Sequence, residues 1–129
     1  MKAMIESKIN SLGLYIHWPY CESKCPYCDF NSHVNKVVDS KLWIKSYSNQ
    51  LNKMKEKLLE HNVNSNKLNT IFFGGGTPSL MPLDIIENIL KTSSCLFGFK
   101  ENIEITLEAN PSSCEKDKFS DLQNLGINR

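Results

Sequence analysis

Three observations on the 129-residue sequence predict an α/β fold built on a parallel sheet. Short apolar strand segments alternate with amphipathic helical segments: strand, helix, strand, helix, strand, helix, then the opening of a further strand. Each strand leads into a chemically distinctive segment, with cysteines after the first, a glycine run after the second and a glutamate at the end of the third. No low-complexity segment or linker interrupts this order. Such alternation specifies parallel strands joined by helical crossovers, either as an open sheet or as part of a barrel. In both arrangements ligands gather at the carboxyl ends of the strands, so all three features are expected on one rim.

The elements follow in order from their residues. "GLYIHW", residues 13–18, reads as a short strand that stops at Pro19, and the cysteine loop comes next. Residues 39–62 read as a helix with Asp39 or Ser40 as its cap. Trp43, Tyr47, Leu51, Met54 and Leu58 recur there at helical spacing, as a core-packing stripe. "NTIFF", residues 69–73, is an apolar strand running into Gly74, Gly75 and Gly76. A second helix is predicted from Pro82 to about Thr92, with Pro82 in its first turn and Leu83, Ile86, Ile89 and Leu90 on one face. In "NIEITLEAN", residues 102–110, Ile103, Ile105 and Leu107 alternate with Glu104, Thr106 and Glu108, as a strand requires. Ser112 and Glu115 then form a capping box for a helix carrying Phe119, Leu122 and Leu125 and ending at Gly126. The final "INR" reads as the first residues of another strand.

The composition is that of an ordinary water-soluble domain, with 40% hydrophobic residues, 22% charged residues and a formal net charge of +1. Nucleic acid is not an expected partner, since no basic block is interleaved with aromatics. No apolar run approaches the length of a transmembrane segment, and residues 1–12 are too polar for a signal peptide. The expected compartment is the cytoplasm, where thiols stay reduced and cysteines serve metal or cluster ligation rather than disulfides. An odd count of five cysteines agrees with this.

Cys21, Cys25 and Cys28 fall within eight residues, in a CxxxCxxC triplet. One reading is a zinc site completed by His17 or His33. Zinc sites, however, generally draw two ligand pairs from separate segments to close a tetrahedron. One loop can supply three thiolates to a four-iron cluster and leave the fourth iron open to an exogenous ligand, so the spacing favours a cluster. Cys95, expected to follow a helix, and Cys114, at a helix start, are read as incidental or packed thiols.

In "FFGGGTPS", residues 72–79, the glycines would let the backbone approach a small polar group such as an amino acid's ammonium or carboxylate; the plainer reading is a turn. The run is not a phosphate-binding P-loop, because no Lys-Ser/Thr pair follows. Glu108 also has two readings. In a barrel, Glu104, Thr106 and Glu108 would point inward, and a buried Glu108 would need a cationic or donor partner. On a solvated strand face, the alternation needs no partner.

Together, "YIHWPYCESKCPYCDF", "FFGGGTPS" and "ITLEANP" resemble the radical S-adenosylmethionine (SAM) superfamily. Within it they are similar to the branch that holds oxygen-independent coproporphyrinogen III oxidase (HemN) and the heme chaperone HemW. The resemblance implies that Cys21, Cys25 and Cys28 hold a [4Fe-4S] cluster whose fourth iron takes SAM. It further implies that Tyr15, Tyr27, Gly75, Gly76, Thr77 and Glu108 line the SAM site. In the family an electron from the cluster cleaves SAM to methionine and a 5′-deoxyadenosyl radical, which abstracts hydrogen from a substrate. His17 shares a motif position in this branch, and His17, His33 and His61 are otherwise read as structural or surface residues.

The fold implied is the first half of a partial (β/α)6 TIM-like barrel, truncated before the fourth strand. Residues 1–129 are thus expected to be the N-terminal part of a radical SAM core domain, with the cluster loop at about 15–33. The remaining barrel and the C-terminal domain would be absent, and such a piece is expected to be inactive alone. The oxidase branch typically adds a fourth cysteine two residues after the third, where this chain has Phe30. That departure is similar to the HemW branch, whose members bind heme and pass it to acceptor proteins. Three functions are expected in order: a heme-delivering chaperone; a coproporphyrinogen oxidase acting by radical decarboxylation; and a non-catalytic zinc- or cluster-binding fragment. Heme or a porphyrinogen, a heme-acceptor protein and an electron donor are the partners implied.

Overall fold

A computed structural model describes residues 11–22, 26–27, 33–34, 37–63, 66–110 and 116–129. The elements run β1 (Leu12–Trp18), β2 (Tyr20–Cys21), β3 (His33–Val34), α1 (Ser40–Glu60), β4 (Leu68–Gly75), α2 (Leu83–Phe97), β5 (Phe99–Leu107) and α3 (Lys116–Leu125). A 3-10 turn at Pro78–Leu80 links β4 to α2. The main sheet has the order β1-β4-β5 with both pairings parallel, as the strand–helix alternation predicts. β2 and β3 form a separate parallel pair within the cysteine segment.

One face of the sheet carries the core. Leu14, Ile16 and Trp18 of β1, Ile71 and Phe73 of β4, and Ile105 and Leu107 of β5 are buried with Tyr47 and Leu51 of α1. Leu68 at the start of β4, Met81 ahead of α2, Ile85, Ile86, Ile89, Leu90 and Phe97 of α2 and Leu122 of α3 complete the cluster. The residues between them on each strand fall on the opposite face. There Tyr15 is 56% and Phe72 38% exposed, and Glu104 is exposed too, as is Glu108 just past the end of β5. Parallel sheets are ordinarily covered on both faces; among the described residues this one is covered on one, and no barrel closes.

Of the two caps expected for α1, Asp39 is the one used, its carboxylate accepting from the Leu42 amide at 3.2 Å. Several elements differ from expectation for physical reasons. Met54 is 44% exposed and leaves the expected stripe, because α1 leans on α2 at this level and places Lys55 Nζ 5.7 Å from the Phe97 ring centre, on the other flank. α2 continues to Phe97 rather than about Thr92, because Ser93 and Phe97 are buried on its inner face and Gly98, at φ +73°, provides the stop. Cys95 therefore lies within α2, exposed, and not after it. Pro82 caps α2 from outside its first turn. In α3 Leu122 reaches the core while Phe119 stays 48% exposed. β5 starts at Phe99 and ends at Leu107, so Glu108 stands just beyond the strand. The expected capping box at Ser112 and Glu115 lies outside the described residues, as does Cys114.

The closing residues behave as a strand start would. The Arg129 amide donates to the Ile105 carbonyl at 3.2 Å, and the Leu107 amide donates to the Arg129 carbonyl at 3.0 Å. These are the two bonds of a parallel pairing along the outer edge of β5. The Asn128 side chain reinforces that edge by accepting from the Ile105 amide and donating to the Ile103 carbonyl.

Candidate functional site

The glycine run closes onto the chain that enters the cysteine loop. The Gly76 amide donates to the Trp18 carbonyl at 2.6 Å, and the Thr77 amide to the Tyr20 carbonyl at 2.8 Å. A Cβ on Gly76 would stand 2.5 Å from the Tyr20 carbonyl oxygen and 3.0 Å from Cys21 Sγ. Gly75, at φ +114°, would set a Cβ 2.5 Å from the Trp18 carbonyl oxygen and 2.8 Å from the His17 ring. Glycine is required at both positions because another backbone, not only a turn, occupies the space. The outcome is a half-buried Cys21 thiol seated at the joined carboxyl ends of β1 and β4.

A second set of contacts fixes the loop's base. Tyr20 pairs with His33 and Cys21 with Val34, and the His33 amide donates to the Pro19 carbonyl at 2.6 Å. The two ends of the cysteine segment are thereby tied together. Trp43 of α1 packs on both Trp18 and Tyr20, with ring centres 5.3 and 5.7 Å away and those two rings 5.1 Å from each other, and Tyr47 lies 5.4 Å from Trp43. The Tyr47 hydroxyl donates to the His17 carbonyl at 2.6 Å. Burial, and secondarily the nearby Tyr20, push the Tyr47 phenol well above its ordinary range, so it stays a donor.

The open sheet face begins beside this seat. Tyr15 stacks on Phe72 with ring centres 6.1 Å apart and an 18° tilt, and its hydroxyl lies 3.4 Å from His17 Nδ1. Phe72 is opposite Tyr15 in the register of β1 and β4, and opposite Thr106 in that of β4 and β5. It was not among the sequence candidates. The signal for it was nonetheless present, since strand alternation puts Phe72 across the sheet from Ile71 and Phe73. The β5 carboxylates lie away from the helix-covered core side, as both readings of that strand allow: Glu104 meets Arg129 at 3.1 Å and Glu108 is exposed among the described residues. Glu108 is held by its backbone, the amide donating to the Phe73 carbonyl at 3.1 Å and the carbonyl accepting from the Ser79 amide at 3.2 Å.

Of the sequence candidates, the structure brings Cys21, Gly75, Gly76 and Thr77 into one cluster and sets Tyr15 on the adjoining face. Glu108 stands at the end of the neighbouring strand. Tyr27 projects outward at 85% exposure. Cys25, Cys28 and Phe30 lie outside the described residues.

The model of the radical SAM superfamily matches residues 15–129 of this sequence. The chain belongs to the radical SAM superfamily. Curated radical SAM relatives include the heme chaperone HemW of Haemophilus influenzae, 42% identical over 123 residues, covering 95% of this chain and 32% of that protein. HemW of Escherichia coli is 39% identical over 126 residues, covering 95% and 31%. The mitochondrial radical S-adenosyl methionine domain-containing protein 1 of Danio rerio is 34% identical over 125 residues, covering 97% and 27%. The chain thus spans about a third of the length of the curated relatives it matches. The solved structure of coproporphyrinogen III oxidase (HemN) from Escherichia coli, described as a radical SAM enzyme, superposes with a TM-score of 0.80 at 24% identity. That match covers 92% of this chain and 26% of that one, and it establishes the shared fold. Radical SAM membership implies SAM and a [4Fe-4S] cluster. The seat described above suits them: a soft thiolate ligand, half-buried, on a backbone turn that carries no side chain in the way.

Proposed function

We propose that this chain carries the cluster and SAM site of a heme chaperone of the HemW kind, as the N-terminal part of a radical SAM core domain working in the cytoplasm. The observation that carries the site is the seat of Cys21 on the glycine turn, where β1 and β4 end beside the open face. Cys21, Cys25 and Cys28 would ligate the cluster, and Tyr15, Tyr27, Gly75, Gly76, Thr77 and Glu108 would line the SAM pocket. Once bound, the cluster would supply the electron for reductive cleavage of SAM.

The chain's own groups suggest how SAM is held. The Gly76 and Thr77 amides are already engaged by the Trp18 and Tyr20 carbonyls. A ligand at the turn would therefore be met by acceptors such as the Gly76 carbonyl oxygen and the Thr77 hydroxyl, to which an ammonium can donate. The stacked Tyr15 and Phe72 rings offer a flat apolar surface of the kind an adenine prefers. Glu108, at the next strand end, adds a negative charge suited to a cationic sulfonium ligand.

Delivery of heme, rather than oxidation of a porphyrinogen, is favoured by Phe30 in the position of a fourth cysteine and by the 39–42% identity to HemW proteins. The test is anaerobic reconstitution followed by iron and sulfide analysis, and by paramagnetic resonance with and without SAM. We expect a four-iron signal that SAM alters and that Cys21→Ser abolishes; zinc without sulfide would sink the site. Heme titration should then shift the Soret band and permit transfer to an apo-acceptor protein. Conversion of coproporphyrinogen III with SAM and reductant would instead make the protein an oxidase.

A further inference from the structure

The hydroxyl of Tyr47, in the packed stripe of α1, lies thirty positions in sequence from the carbonyl it donates to. Successive carbonyls of a strand point to opposite edges. At the exit of β1 the Trp18 carbonyl points toward β4 and receives the Gly76 amide at 2.6 Å. The preceding carbonyl, that of His17, points to the edge opposite β4, where no strand pairs among the described residues, and there it receives the Tyr47 hydroxyl at 2.6 Å. The last two peptide groups of β1 are therefore gripped from both sides, immediately before Pro19, Tyr20 and Cys21. Tyr47 is buried, its hydroxyl stays protonated, and Trp43 beside it packs on both Trp18 and Tyr20.

We propose that Tyr47 is a positioning residue for the exit of β1: by donating to the His17 carbonyl on the edge opposite β4, it sets the direction in which the chain leaves β1 and so places the Cys21 thiol on the glycine turn. Its consequence for a bound cluster rests on the reading of Cys21 as a ligand. Its consequence for the backbone does not.

Tyr47→Phe removes only the hydroxyl and keeps the ring in the aromatic stack. In the metal-free full chain, the Gly76, Thr77 and His33 amides donate to the Trp18, Tyr20 and Pro19 carbonyls. Their hydrogen exchange should quicken by about fivefold in the variant, the equilibrium factor of one ordinary hydrogen bond. The Glu108 amide, bonded to Phe73 on the far side of β4, should hold its rate. Ile89→Val, a core change in α2 with a comparable loss of melting temperature, serves as control and should show no such contrast. A uniform change across all four amides, or none, overturns the proposal. With the cluster reconstituted, Tyr47→Phe should lose iron to a chelator several-fold faster than Ile89→Val; equal rates would overturn the link to the thiol. If the unmutated protein takes up no iron and sulfide, the ligand reading fails while the exchange contrast still decides the role of Tyr47.

Discussion

At the scale of single residues, neighbours that are distant in sequence decide what each glycine is for. Gly74 and Gly76 look alike in the string, yet a Cβ on Gly74 would meet the ends of the exposed Phe72 and Tyr15 side chains at 2.9 and 3.0 Å, which can move aside. A Cβ on Gly76 would meet the Tyr20 carbonyl at 2.5 Å, which can yield only by shifting the loop. Gly76→Ala should therefore cost about 1–3 kcal/mol and lower iron uptake, while Gly74→Ala costs under about 1 kcal/mol. Urea denaturation and iron analysis of the two variants check this. Tyr47 makes a second case. Its phenol is raised above the ordinary value of 10.0, so between that pH and its folded value the native state holds a proton that the unfolded chain has lost. The stabilisation is fully present below about pH 10 and falls as pH rises further. Tyr47→Phe should flatten the decline of the denaturation midpoint between about pH 10 and 11.5.

Among whole elements, local rules predicted existence better than extent. The caps and periods of α1 and α2 were readable because they depend on neighbours a turn away. Asp39→Ala should thus cost about 1 kcal/mol, seen as a lower urea midpoint with an unchanged slope. The end of α2 was not readable, since "TSSC" is polar and looks like a stop; only burial of Ser93 and Phe97 under neighbouring elements carries the helix to Gly98. The stripe on α1 failed at Met54 for a similar reason, because the covered side of a helix is decided by where its neighbour lies.

For the molecule as a whole, the main fact is a parallel sheet with helices on one face and aromatic rings on the other. Tyr15 and Phe72 together present an exposed apolar surface, and the outer edge of β1 has no strand partner among the described residues. Both features favour association. The 129-residue chain by itself should melt over a broad range and self-associate at micromolar concentration. Tyr15→Ser with Phe72→Ser should reduce that association in sedimentation experiments while leaving the far-ultraviolet circular dichroism unchanged. A sharp, monomeric melt of the unmutated chain would contradict this.

The amino-acid sequence by itself determined the alternation of strands and helices, the parallel sense of the sheet and, through the spaced thiols and the glycine run, the family. Those properties depend on periodicity and on short motifs, which are local. Only the tertiary structure decided that Gly76 makes room for Cys21, that Phe72 joins Tyr15, and that Tyr47 holds the end of β1. Each is a meeting of segments far apart in the chain, and parallel register and helix placement, set by packing of the whole core, determine which side chains meet.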